Sequence, residues 1–253
     1  KKFYKYIKNY QPNCLILIDY MGPNIKIGTK LKRSRNNIPI YYYIAPQEWA
    51  WRIGNNSTTN LINFSDKIFA IFKQEADFYE SRGGKVAWVG HPMIDNLRDM
   101  PNREEACLKL GVDSSKRFLL VLLASRTQEL RYLLPTLMQA SALIQEKDPN
   151  IIVLLPAAQQ KFEEKLKKAL KRFGVNGIVF PAKDVDKFKP FLFKISDLAL
   201  TKSGTINMEL AIHMVPQIVV YKVSRVTAFI AKKVLKFHVD HISPVNLLLR
   251  ERL

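Results

Sequence analysis

The sequence predicts an α/β protein made of two halves, each organised on parallel strands. Three observations carry this reading. Short continuous apolar runs, such as Cys14-Leu15-Ile16-Leu17-Ile18 and Phe118-Leu119-Leu120-Val121-Leu122-Leu123, have the length and composition of buried parallel strands. Helical stretches alternate with these runs, twice over. Residues 197–221 spell out one complete unit: a strand at 198–200, a polar turn Lys202-Ser203-Gly204-Thr205, a helix at 206–213 and a strand at 217–221 after Pro216. A chain of 253 residues holds one large or two small domains with a real core. The boundary is expected just after Gly90-His91-Pro92, giving domains 1–94 and 95–253.

In the first half, residues 1–10 place Phe3, Tyr4, Ile7 and Tyr10 among lysines, a basic amphipathic helix. The strand at 14–18 runs into Asp19, at the carboxyl end where α/β enzymes carry catalytic groups. A helix cap or ion-pair partner accounts for a lone Asp there equally well. Residues 19–24 follow as a loop, 25–35 as a short basic helix and 38–44 as a second strand. Residues 45–52 then set two tryptophans, Trp49 and Trp51, with Glu48 and Arg52 in one loop. Such rings pack on a neighbour or wall a site. Strands at 67–72 and 86–89 bracket a helix at 74–82 that Gly83-Gly84 stops. His91, before Pro92, reads as structural or catalytic.

In the second half, a helix at 104–110 closes on Gly111, and the strand at 118–123 enters Ala124-Ser125-Arg126-Thr127-Gln128-Glu129. Ser125 and Gln128 have capping-box spacing, which puts Arg126 in the first turn of a helix. A cation beside exposed N–H groups suits an anion, and a solvated Arg near a cap suits the same residues. That helix runs toward Lys147, kinked or split by Pro135. A strand follows at 151–155. The helix at 159–173 puts Phe162, Leu166, Leu170 and Phe173 on one face and ends at Gly174. Another strand is expected at 178–180 and a surface loop at 182–190. Its Asp184-Val185-Asp186 resembles a metal-binding triplet but offers too few oxygens for a hard cation.

In the unit at 197–221, Gly204 removes the Cβ that would keep a ligand from the backbone. Ser203 and Thr205 are placed to cap the helix, whose first N–H groups suit an anion. Glu209, one turn on, is placed to accept from a sugar hydroxyl. An ordinary capped turn fits the same residues. Residues 224–239 form a basic amphipathic helix, suited to an anionic membrane or to a core with one wet side. His238, Asp240 and His241 are too thin a set for a metal. Asn246 is placed to cap a last helix or touch a ligand.

The formal net charge is +18, which points to an acidic partner: nucleic acid, an anionic membrane or a phosphorylated substrate. Two cysteines, Cys14 and Cys107, make neither a disulfide framework nor a four-thiolate metal site, so a reducing compartment is the default. No apolar run nears the roughly 20 residues of a membrane span, and no signal peptide is visible. A start at Lys1 inside a helix and an end without a closing element suggest a fragment. Neither GxGxxG nor GxxxxGK[ST] is present.

Taken together the motifs resemble the lipid-A-disaccharide synthase family. The carriers, in order, are Ile18-Asp19 with Asn24, the segment from Tyr42 through Trp49-Ala50-Trp51-Arg52, Val89-Gly90-His91-Pro92, Ser125-Arg126 with Glu129, Ser203-Gly204-Thr205 with Glu209, and Pro244-Val245-Asn246-Leu247-Leu248. Asp19-Tyr20-Met21-Gly22-Pro23-Asn24 is similar to the cyanobacterial and plant branch. The family's usual Pro-x-Ser-Arg reads Leu123-Ala124-Ser125-Arg126 here, and its amino-terminal Gly-Glu-x-Ser-Gly-Asp segment and later Pro-Glu segment are absent.

The resemblance implies a GT-B fold, two Rossmann-like domains facing a cleft, with the acceptor-side domain at 1–94 incomplete and the UDP-sugar domain at 95–253. It implies inverting transfer of a diacylated glucosamine from UDP to diacylglucosamine 1-phosphate, forming a β-1,6 bond, without metal or cofactor. Asp19 would be the general base, and Arg126 with Ser125 would hold the diphosphate. Ser203, Gly204, Thr205, Glu209 and Asn246 would contact UDP or donor sugar, and Asn24, Trp49, Trp51 and Arg52 would lie on the acceptor side. Partners would be the two lipid sugars and an anionic membrane surface, with no nucleic acid, and the place of work the cytoplasmic face of the inner membrane. The nearest alternative is another transferase or a UDP-sugar epimerase of the same fold, set apart by the Trp-Ala-Trp-Arg loop. A basic protein binding nucleic acid or anionic lipid accounts for the charge but not for Asp19 and the anion turns.

Overall fold

The computed structural model describes residues 2–34, 38–49, 56–97, 100–123, 126–222, 243 and 245–246. The chain divides into two compact units, Lys1–Asp95 and Asn96–Leu253. Ser125, Trp51, Arg52, the basic helix expected at 224–239, and His238, Asp240 and His241 lie outside the described residues.

The first unit holds α1 (Lys2–Tyr10), β1 (Leu15–Ile18), α2 (Met21–Arg33), β2 (Ile40–Tyr43), α3 (Asn56–Phe64), β3 (Lys67–Ala70), α4 (Lys73–Glu80) and β4 (Val86–Trp88). Its strands pair in the order β1-β2-β3-β4, all parallel, with Leu17 opposite Tyr42 and Tyr42 opposite Ile68. Leu17, Ile40, Tyr42 and Ile68 face a core closed by Ile7, Leu31, Leu61, Phe64 and Tyr79.

Two expectations need correction here. The 14–18 run was expected to be buried, yet Ile16 and Ile18 are each 54% exposed. β1 is an edge strand, and its apolar residues on the face away from the helices remain open. Residues 19–24 were expected as a loop, but α2 begins at Met21. Gly22 and Pro23 hid this start, although proline is tolerated in a first turn, where N–H groups have no helical acceptor.

The second unit holds α5 (Arg103–Leu110), β5 (Arg117–Leu122), α6 (Thr127–Lys147), β6 (Ile151–Pro156), α7 (Glu163–Phe173), β7 (Gly177–Phe180), α8 (Val185–Ile195), β8 (Leu198–Thr201), α9 (Ile206–Ile212) and β9 (Gln217–Val219). The parallel order is β7-β6-β5-β8-β9. Helices cover both faces. Leu119, Val121, Val153 and Leu155 pack with α6 and α7 residues on one side. Phe118, Leu120 and Leu154 meet α5, α8 and α9 residues on the other. Burial on two faces is why these strands read as unbroken apolar runs.

Residues 182–190 were expected as a surface loop, but α8 occupies most of them. Leu192, Phe193 and Ile195 are buried along it, and Pro190 sits within the helix. The proline and the flanking lysines masked the apolar stripe. α6 likewise runs through Pro135 as one helix and is not split.

Candidate active site

In the first unit the geometry gathers on Asp19. This residue takes φ +50 directly after β1, a left-handed conformation that Asp tolerates better than most side chains. Three groups hold its backbone. Its N–H donates to Tyr43 O at 3.1 Å. Its carbonyl accepts the Tyr42 hydroxyl at 2.7 Å and, more weakly, the Asn24 amide at 3.4 Å. Asn24 Nδ2 also donates to Ile18 O at 2.9 Å. Asn24, expected on the acceptor side, therefore uses its amide to pin the turn that carries the carboxylate.

Asp19 itself is exposed. Burial, with a smaller push from the Asp19 charge, raises the Tyr42 hydroxyl to about 12, so it stays a proton donor. Nothing in the run Ile40-Tyr41-Tyr42-Tyr43 marked the middle tyrosine. Strand alternation is the signal, since it points Tyr42 into the core beneath the Asp19 turn.

The loop after β2 is fastened from beneath. Glu75, fully buried on α4, accepts from Ala45 N at 3.0 Å, Ile71 N at 3.1 Å and Phe72 N at 3.4 Å. Burial raises its carboxyl above the usual range against the pull of these donors. Tyr79 Oη donates to Pro46 O at 2.8 Å. Trp49 donates through Nε1 to Gln47 Oε1, and its ring meets Phe72 edge-on at 6.2 Å. Phe72 in turn packs on His91 at 5.3 Å, and His91 Nδ1 accepts from Met93 N at 3.2 Å. Trp49 is thus packed against neighbours. Glu48, 4% exposed, accepts from the Ser57 hydroxyl.

In the second unit the strand order reverses between β5 and β8, and in open parallel sheets ligands enter at the carboxyl ends beside such a reversal. A cavity of about 360 Å³ lies there, lined by Leu122 at the end of β5 and Leu123 after it, Pro156 at the end of β6, Lys189 and Phe193 of α8, and Lys202, Gly204, Thr205 and Ile206 after β8. A Cβ built on Gly204 meets nothing within 4 Å, so the loop has room beside its backbone.

The capping expectation for Thr205 is corrected. Thr205 occupies the cap position of α9 without a side-chain cap bond, and Gly204 N donates to Asn207 Oδ1 at 2.8 Å. The carbonyl of Asn207 accepts from Gln217 Nε2 at 2.9 Å, and its amide donates to Gln217 Oε1 at 2.8 Å. The loop is therefore braced by a buried amide that the motif reading passed over. Glu209 is ion-paired to Lys189. Arg126, expected in the first turn of α6, instead stands at its N-cap with its side chain 82% exposed, 3.7 Å from Glu129. Glu129 also accepts from Lys202 at 2.6 Å. Gly204 and Thr205 line the cavity directly, whereas Glu209 is tied to it by its pair with Lys189, and Arg126 through Glu129, the partner of Lys202. Val245 and Asn246 are helical.

Among the described residues no group of three His, Cys, Asp or Glu could hold a metal ion. Asp184 approaches Lys187 at 3.9 Å, and Asp186 lines the cavity. No described helix is long and apolar enough to cross a membrane.

A lipid-A-disaccharide synthase of Prochlorococcus marinus (strain MIT 9313) is 53% identical over 247 residues, covering 98% of this chain and 63% of that protein. One from Gloeothece citriformis (strain PCC 7424) is 41% identical over 251 residues, covering 99% and 64%. The chain thus spans about three fifths of these relatives' length. Among solved structures, an S. aureus MnaA–UDP co-structure aligns with a TM-score of 0.61 at 16% identity, covering 98% of this chain and 68% of that one. That likeness carries the fold, the GT-B-like α/β class with parallel sheets. A family model described as lipid-A-disaccharide synthetase matches residues 1–253, and the chain belongs to that family.

Proposed function

We propose that the protein carrying this chain is the glycosyltransferase that joins UDP-2,3-diacylglucosamine to 2,3-diacylglucosamine 1-phosphate. The products would be the lipid A disaccharide 1-phosphate and UDP. The observation that carries the reading is the family match over residues 1–253. The cation-lined crevice at the β5/β8 reversal supports a nucleotide-sugar donor there.

In this reading Asp19 is the general base. Its carboxylate takes the proton of the acceptor 6-hydroxyl as that oxygen attacks the donor's anomeric carbon. The new C–O bond forms on the face opposite the breaking bond to the diphosphate, so the configuration inverts. UDP leaves with the bonding electrons. Arg126 and Ser125 stabilise its added charge, with the Gly204-Thr205 loop at its side. Glu209 and Asn246 serve the sugar and nucleotide, and Trp49, Trp51 and Arg52 the acceptor. The acceptor's phosphate and an anionic membrane surface account for the positive balance of the chain.

The test is transfer with both lipid sugars and purified protein. Disaccharide and UDP released in equal amounts are expected. UDP-N-acetylglucosamine epimerised, or another UDP-sugar preferred as donor, would contradict the assignment.

A further inference from the structure

The crevice of the second unit holds two ammonium groups to which the sequence analysis gave no role. Lys202 opens the loop after β8, and Lys189 stands in the middle of α8. Both line the cavity beside Gly204 and Thr205. Neither is a freely solvated surface lysine, since their side chains are 30% and 32% exposed. Each meets a carboxylate from another element: Lys202 meets Glu129 of α6 at 2.6 Å, and Lys189 meets Glu209 of α9. Glu129 is also 3.7 Å from Arg126, so one carboxylate faces two cations. Apart from Asp186, the rest of the wall is largely apolar, with Leu122, Leu123, Leu192, Phe193 and Ile206. Low-dielectric walls strengthen whatever the ammonium groups bind.

Resting on the nucleotide-sugar reading above, we propose that Lys202 and Lys189 grip the diphosphate of the donor, exchanging Glu129 and Glu209 for phosphate oxygens as it enters. The two glutamates keep the lysines turned into the crevice while it is empty. A diphosphate, unlike a carboxylate, presents oxygens to both ammonium groups at once. When the anomeric bond breaks, the negative charge that UDP gains develops between them. The open space beside Gly204 lets a phosphate come close to the loop backbone.

The experiment is calorimetric titration of wild type, Lys202→Met, Lys189→Met and Glu129→Gln with UDP and, separately, uridine. Methionine keeps the apolar stem and removes the charge, and thermal melts check that each variant is folded. Each lysine variant is expected to bind UDP about tenfold more weakly or worse, with uridine affinity unchanged, as for loss of a charge-assisted contact. Glu129→Gln, which removes the competing carboxylate, is expected to tighten UDP by roughly threefold. Lys202→Arg serves as the conservative rescue and should hold UDP affinity near wild type. Unchanged UDP affinity in both methionine variants, or equal losses for UDP and uridine, would overturn the proposal while leaving the nucleotide-sugar reading standing. A wild-type protein that binds neither ligand would overturn that reading itself.

Discussion

Asp19 shows how much of a site a single backbone angle carries. Its carboxylate stands at the end of an edge strand, and the left-handed turn that presents it is held by Tyr42, Asn24 and Tyr43. Replacing Asp19 with Asn keeps the volume and removes the carboxylate proposed as the base. Turnover should fall by about 10²–10⁴-fold with UDP affinity intact, and undiminished turnover would remove Asp19 from that role. Asn24→Ala should leave UDP affinity intact and lower turnover less than Asp19→Asn does; a loss of UDP affinity would place Asn24 elsewhere. The position of Asp19 at the end of β1 was legible in the sequence, because an Asp after an apolar run has a recognisable place, but its proposed role came only from the family resemblance. Lys189 was not legible, and Lys202, although it stands in the turn that the sequence singled out, was given no role. In a chain with 40 Lys and Arg, no spacing separates a lysine in a crevice from one on the surface. Asn207 was equally silent, because its bond to Gly204 depends on how the loop folds back on α9.

At the scale of elements, the sequence was readable where periodicity was clean and obscure where proline interrupted it. α7 was legible from Leu166 and Leu170 on one face and its stop at Gly174, which takes φ +64. α8 was hidden by Pro190 and α2's first turn by Pro23. Packing between α2 and α3 gives a direct check. A Cβ on Gly28 would lie 2.4 Å from the Phe64 ring, so Gly28→Ala should destabilise the first unit by about 1–3 kcal/mol in denaturant unfolding. A neutral result would show that the ring has room to move. The α4 brace is the other. Glu75→Ala strips the buried acceptor from the Ala45 and Ile71 N–H groups, and each donor left unpaired costs about 1–3 kcal/mol. Unfolding of that variant should come at clearly lower denaturant, and an unchanged midpoint would deny Glu75 its role beneath the Trp49 loop.

At the scale of the molecule, two units with separate cores are joined in one family, and their titrating groups differ. In the second unit, burial pulls His213 below its ordinary value of 6.5, opposed by Glu209 and helped by Lys189 and Lys194. Because the folded state favours the neutral ring, this contribution is fully present above about 6.5 and is lost as pH falls through the lower folded value. Stability of that unit should decline on acidification, and His213→Phe, which keeps a ring against Phe193, should flatten the decline. Equal slopes in both proteins would exclude His213 as the source.

The claim on which the account turns is that the reversal between β5 and β8 is where the nucleotide binds. A crystal structure with UDP tests it most directly. The account predicts the diphosphate between Lys189 and Lys202, against the turn at Gly204 and Thr205. UDP bound away from the carboxyl ends of β5 and β8 would contradict it.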